Sequence, residues 1–159
     1  MVPAKPSAPL RWLDPTRVRS GWHRSPCLDR RHVVIDRSRC LARAGAEAQA
    51  ALDEGAADKI TVVFCDAAVQ RVDAFSPGDV IEFKPIGRGG TKFAPAFVWL
   101  QENEPDISGA VYVTDLDVYS GDFGDEPPFP VLWAVHGHPR ELTQRMASVP
   151  FGECIEIAE

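Results

Sequence analysis

The sequence contains no long hydrophobic run. No stretch of its 159 residues approaches the roughly 18 apolar residues that a membrane-spanning helix requires. The N-terminal segment MVPAKPSAPLRW is interrupted by prolines and lacks the apolar centre of a signal peptide. We therefore expect a cytoplasmic protein without a membrane partner.

Motifs of several common enzyme classes are also missing. The four histidines and four cysteines form neither an H-E-x-x-H nor a C-x-x-C motif, which argues against a zinc protease, a structural zinc site and a thiol redox site. The glycine-rich segment 87–92 has neither P-loop nor dinucleotide-binding spacing, so we reject a nucleotide role. The cysteines are expected to be reduced thiols, several of them packed in the core.

The charge is unevenly distributed. Residues 1–31 contain seven Lys or Arg and two Asp, whereas the remaining residues contain ten basic and 21 acidic side chains. An acidic main body argues against nucleic acid as a partner. Five prolines and little apolar periodicity predict an extended or poorly ordered leader over residues 1–31, followed by one domain over residues 32–159.

Strand-like and helix-like segments alternate from His32 onward. Apolar runs predict buried strands over residues 32–36, 60–65, 109–115 and 129–135, and a last strand is predicted over 153–157. Helical patterns cover residues 41–52, 93–100 and 139–147, and shorter strands are predicted over 69–72 and 80–83. This alternation predicts an α/β fold, namely a three-layer, Rossmann-like, doubly wound and mostly parallel sheet flanked by helices.

Two of the predicted strands end in aspartate, at Asp36 and Asp115. Ligands of open parallel sheets bind beyond the carboxyl ends of the strands. Neighbouring strands lie about 4.8 Å apart, so carboxylates at adjacent strand ends can share one cation. Hydroxyls at Ser38 and Thr91 would complete an oxygen shell suited to Mg²⁺. The alternative is that both aspartates only cap the segments that follow them.

These residues resemble a known family. Asp36-Arg-Ser-Arg-Cys40, Thr91 and Thr114-Asp115 are similar to the D-x-S-x-S, T and T-D pattern of von Willebrand factor A (VWA) domains, where it forms the metal-ion-dependent adhesion site (MIDAS). A closer resemblance is to the C-terminal VWA-like domain of bacterial metallopeptidase-type proteins. It is carried by the segments VVFCDAAVQ (62–70), GRGGTKFAP (87–95), YVTD (112–115), FPVLW (129–133) and FGE (151–153).

The resemblance implies a metal site with Asp36, Ser38, Cys40, Thr91 and Asp115 at the ligand positions. The family has serine where this chain has Cys40, and a thiol is a poor ligand for Mg²⁺. Arg37 and Arg39 stand where small residues are usual, and a guanidinium could neutralise the carboxylates in place of a metal. A degenerate site that has lost its metal is therefore an open alternative.

The resemblance also implies a function. VWA domains are protein-interaction modules in which a partner's Asp or Glu completes the coordination of Mg²⁺ or Mn²⁺, and relatives are often associated with AAA-type ATPases. Longer relatives carry an upstream metallopeptidase-like domain that a 31-residue leader cannot hold, so we expect a stand-alone or shortened relative without enzymatic activity. Two alternatives stay open: a metal-assisted hydrolase with Asp117 as base, and a metal-free structural remnant.

Two weaker patterns have ordinary explanations. His136 and His138 could hold a transition metal together with Cys154, but two histidines do not make a site, and surface histidines are the expectation. Cys65 at a strand end resembles a nucleophile, but with no histidine identified as its partner a packed cysteine is the expectation.

Overall fold

The structure of the protein is a computed structural model that describes residues 30–35, 41–84, 92–118 and 122–157, the first range for its backbone alone. The elements in these ranges are, in chain order, β1 (Arg30–Ile35), α1 (Leu41–Asp53), β2 (Lys59–Cys65), β3 (Val69–Phe75), α2 (Ala94–Asn103), β4 (Gly109–Thr114), β5 (Val131–Val135), α3 (Pro139–Ala147) and β6 (Glu153–Glu156). Most of the predicted leader lies outside the described residues; Arg30 and Arg31 open β1.

The strands form one sheet in the order β3-β2-β1-β4-β5-β6. The pairs β2–β1, β1–β4, β4–β5 and β5–β6 are parallel, and only β3, paired with β2, is antiparallel among the described strands. The first described strand, β1, therefore lies in the middle of the sheet, and the later strands extend the sheet on both sides. This arrangement confirms the predicted doubly wound, mostly parallel α/β fold.

Helices cover both faces of the sheet, which is why every residue of β4 and of β5 is buried. On one face α1 buries Ala44, Ala48 and Leu52 in a core that includes Val62 and Val113. The other face is covered by α2 and α3, whose buried residues share a second core with the strands. The structure thus has the three layers expected from the sequence.

The second core is rich in aromatic rings. Trp133 of β5 is fully buried and stacks on Tyr112 of β4, with ring centroids 5.2 Å apart. Its indole N–H donates a 2.8 Å hydrogen bond to the carbonyl oxygen of Phe151. Phe93 and Phe97, around the first turn of α2, pack on the same indole at 5.0 and 5.7 Å. These contacts fix the start of α2 against the centre of the sheet.

The strand predicted over residues 80–83 is not formed. Ile81 donates its backbone N–H to the side-chain oxygen of Gln49 on α1, at 2.8 Å, instead of to a neighbouring strand. Phe83 packs against Phe64 and Phe75. Residues 80–84 do alternate between exposed and buried or half-buried positions. However, they form an extended segment that packs against α1 and not a strand at the edge of the sheet.

Candidate functional site

The carboxyl ends of β1 and β4 lie side by side. In the parallel ladder between these strands Ile35 is opposite Val113, and each strand ends within one residue of that pair. Asp36 is the residue after Ile35, and it lies outside the described residues. Asp115 directly follows the end of β4. The topology therefore makes β1 and β4, whose ends carry the two predicted aspartates, neighbours in the sheet.

Asp115 is half-buried and begins a compact turn. Its Oδ1 accepts a 3.0 Å hydrogen bond from the backbone N–H of Asp117. Leu116 donates its N–H to the hydroxyl of Thr114 at 3.1 Å, and its carbonyl accepts from Val118 at 3.0 Å. These bonds hold the Asp115 carboxylate at the edge of the sheet.

A basic side chain from α3 reaches the same turn. Nη1 of Arg145 donates a 2.9 Å hydrogen bond to the backbone carbonyl of Asp115. Nη2 bonds to Glu141 at 2.8 Å and lies 3.6 Å from the carboxylate of Asp117. Asp117, the base of the hydrolase alternative, is 76% exposed. Arg145 could not be identified from the sequence, because no local pattern shows which turn a long side chain on a helix will contact.

The loop before α2 is anchored to the same edge. The backbone N–H of Lys92 donates a 2.9 Å hydrogen bond to the carbonyl of Asp66, the residue after β2. The N–H groups of Phe93 and Ala94 both donate to the carbonyl of Asp122, at 2.9 and 3.2 Å. The residue after Thr91 is thus held between the chain that follows β2 and the loop that follows β4.

Of the five predicted ligands, only Asp115 lies within the described residues. Asp36, Ser38, Cys40 and Thr91 lie outside the described residues, as do Arg37, Arg39 and the glycines of the loop. The ligand set therefore stays a prediction. Within the described ranges, no three His, Cys, Asp or Glu side chains are grouped so that they could hold a metal ion.

Asp115 has the chemistry that a divalent cation requires. Carboxylate oxygens are the preferred ligands of Mg²⁺. Oδ1 takes part in the turn, while no donor from the described residues is bonded to Oδ2. The Asp115 carboxylate therefore keeps one oxygen for a ligand, and it fits the role of the strand-end carboxylate in a metal site.

The weaker patterns have mixed outcomes. His138 is exposed at the start of α3, where its Nδ1 accepts from the N–H of Arg140 at 3.4 Å. His136 is only 6% exposed, so the expectation of a surface position was wrong for this residue. It directly follows β5 and donates its backbone N–H to the Thr114 carbonyl. Cys65 is buried in the second core, which confirms the prediction of a packed cysteine.

None of the helices in the described part of the chain has the length and apolar character needed to cross a bilayer. No curated protein matches the chain by sequence. A solved structure matches its fold: the crystal structure of the ArnB paralog VWA2 from Sulfolobus acidocaldarius, with a TM-score of 0.51 and 16% sequence identity. The match covers 82% of this chain but 41% of that chain, and at this identity the likeness concerns the fold alone.

A family assignment follows from the sequence itself. The family described as VWA-like domain (DUF2201) matches residues 33–158, which is most of the chain and nearly the whole predicted domain. The fold is thus of the kind that serves as a protein-interaction module. The match covers well over half of the chain and the sheet topology is consistent with it, and the chain belongs to the VWA-like domain family.

Proposed function

We propose that this domain is a metal-dependent protein-interaction module and not an enzyme. In this proposal Asp36, Ser38, Thr91 and Asp115 hold one Mg²⁺ or Mn²⁺ beyond the carboxyl ends of the strands. A carboxylate from a partner protein completes the coordination. The cation would supply a fixed positive charge that bridges the partner to the domain.

The observation that carries the proposal is the parallel pairing of β1 with β4. Because Ile35 is opposite Val113, the chain leaves both strands at one edge, toward two aspartates. Two carboxylates at adjacent strand ends repel each other, and a shared cation would relieve that repulsion. If each aspartate only capped the segment that follows it, the two aspartates would not need to follow neighbouring strands.

The anchoring of Lys92 supports the third ligand position. Its hydrogen bond to the Asp66 carbonyl joins the end of the glycine-rich loop to the strand beside β1. The N–H bonds of Phe93 and Ala94 to Asp122 join the same segment to the loop that follows β4, the other neighbour of β1. Thr91 directly precedes Lys92 in the sequence, and in this proposal its hydroxyl supplies a further oxygen ligand.

Cys40 decides how strongly the site would bind a hard cation. A thiol prefers softer metals, whereas the serine at this position in the family offers an oxygen. We expect Cys40→Ser to bind Mg²⁺ more tightly than the wild type in isothermal titration calorimetry. Binding by Cys40→Ser alone would indicate a decayed site, and no binding of Mg²⁺ or Mn²⁺ by either protein would contradict the proposal.

The partner is expected to present an Asp or Glu, and an AAA-type ATPase is the class of partner that we propose. The probe for the first part is a short peptide with one central glutamate, compared with the same peptide carrying glutamine. Fluorescence anisotropy should show binding of the glutamate peptide with Mg²⁺ present and its loss on addition of a chelator. Equal binding of both peptides, or binding that the chelator does not change, would contradict a metal bridge.

A further inference from the structure

The turn that begins at Asp115 is held in a strained conformation. Leu116 has a φ of 55°, in the left-handed region that side chains other than glycine rarely adopt. Its side chain is buried, and its N–H and carbonyl are bonded to Thr114 and Val118. A residue keeps such a backbone only where its surroundings over-determine it, and such residues concentrate at functional sites.

Arg145 contributes to those surroundings from another element, α3. Its guanidinium binds the carbonyl of Asp115 through Nη1, while Nη2 is fixed by Glu141 one helical turn earlier. The side chain is 30% exposed, so it lies largely against the protein. A planar guanidinium can hold two acceptors at once in a defined geometry. The contact therefore fixes the peptide group of Asp115 relative to α3.

We propose that Arg145 is a positioning residue: by holding the carbonyl of Asp115 it fixes the Asp115–Val118 turn and thereby the direction of the Asp115 carboxylate. Its consequence for metal binding rests on the proposed function. The guanidinium also carries a positive charge that would repel a cation. Orientation and charge therefore act in opposite directions, and substitutions can separate them.

Two substitutions make this separation. Arg145→Lys keeps the charge, but an ammonium group lacks the planar fork that joins Asp115 to Glu141. Arg145→Gln removes both the charge and the fork. Arg140→Gln is the matched control, because Arg140 is exposed on the same helix and no described contact joins its side chain to the turn.

The first readout needs no metal. We expect amide hydrogen exchange of Asp117 and Val118 in the metal-free protein to accelerate roughly tenfold or more in both Arg145 variants, as loss of one charge-assisted hydrogen bond would produce. Exchange of Ala134, a fully buried residue of β5, serves as the reference and should not change. Arg140→Gln should leave all three amides unchanged. Equal acceleration at Ala134 would show a general loss of stability and overturn the proposal.

The second readout is the dissociation constant for Mg²⁺ from calorimetry. Loss of a residue that orients a ligand weakens metal binding by about 10–100-fold, and we expect that direction for both variants. Tighter binding by Arg145→Gln with no change in Arg145→Lys would show that Arg145 acts only as a repelling charge, and would overturn the proposal. If the wild type binds no Mg²⁺ while exchange in the turn still accelerates, the proposed metal function fails and the positioning role stands.

Discussion

Ile35 at the end of β1 lies opposite Val113 of β4 in a parallel ladder. This pairing joins two strands that are far apart in the sequence and makes them neighbours at the centre of the sheet. It gives a physical basis for a site built from Asp36 and Asp115, because connections from adjacent parallel strands leave at one edge. The same pairing excludes an arrangement in which another strand separates the ends of β1 and β4.

Among the described carboxylates, Glu104 is expected to contribute most to the stability of the fold. It is 8% exposed and accepts hydrogen bonds from Lys59 at 2.6 Å and from Thr61 at 3.0 Å, which join the end of α2 to β2. Glu104→Ala would leave both donors without this acceptor and should lower the free energy of unfolding by about 2 kcal/mol in urea denaturation.

The control for this prediction is Glu102→Ala. Glu102 is exposed on the same helix, so its removal should change the free energy of unfolding by less than about 0.5 kcal/mol. Equal effects of the two substitutions would show that the bonds to Lys59 and Thr61 do not stabilise the fold.

Position 124 is expected to require glycine, because it lies against Ala94, the first residue of α2. Its φ is +75°, and a Cβ there would lie 2.6 Å from the Cβ of Ala94. Gly78 has a φ of +97° but open space around it. Both alanine substitutions strain the backbone, while only Gly124→Ala adds overpacking, so it should destabilise the protein by about 2 kcal/mol more than Gly78→Ala.

A double variant tests the cause. If the contact with Ala94 is responsible, adding Ala94→Gly to Gly124→Ala should recover part of the lost stability in thermal unfolding, since coupled neighbours are not additive. Strict additivity of the two substitutions would contradict the steric explanation.

Because of Cys154, the free energy of unfolding is expected to fall as the pH rises into the alkaline range. Burial raises the pKa of its thiol, because the thiolate is poorly solvated there. The unfolded state therefore loses this proton first as the pH rises. The protonated Cys154 thiol therefore contributes fully to stability below the ordinary pKa of a thiol. This contribution is lost as the pH rises through the folded-state pKa.

The measurement compares wild type with Cys154→Ala in urea denaturation at neutral pH and above the ordinary thiol pKa. The difference in unfolding free energy between the two proteins should shrink as the pH rises. A difference that grows with pH would mean that the folded state favours the thiolate, contrary to the burial of Cys154.

Much of the fold could be predicted because burial imposes clear periodicity. The alanine-rich stripe around Ala44 and Ala48 gives α1, and the continuous apolar run of residues 109–114 gives β4. Residues 80–83 show the limit of this reasoning. Their alternation is that of a strand, but Gln49 on α1 takes the hydrogen bond of Ile81, and a partner that distant in sequence cannot be inferred from local pattern.

The position of Asp115 at the end of a strand could be predicted for the same reason. An aspartate at the end of an apolar run is a local feature, and Asp115 lies where that feature placed it. The contact of Arg145 with Asp115 depends on the packing of α3 beside the sheet, and the burial of His136 depends on neighbouring elements. Neither the contact nor the burial can be recognised from the sequence around these residues. The contributions of Asp36, Ser38, Cys40 and Thr91 remain predictions.

The proposed metal function requires that Asp115 contributes to a divalent-cation site at the carboxyl edge of the sheet. Its most direct test is a calorimetric titration of Mg²⁺ and Mn²⁺ into the wild type, Asp115→Asn and Asp58→Asn. Asp58 is an exposed aspartate just before β2, at the opposite edge of the sheet, so its variant loses the same charge away from the site. We expect binding by the wild type and Asp58→Asn and its loss in Asp115→Asn. Undiminished binding by Asp115→Asn, or binding by none of the three proteins, would contradict the claim.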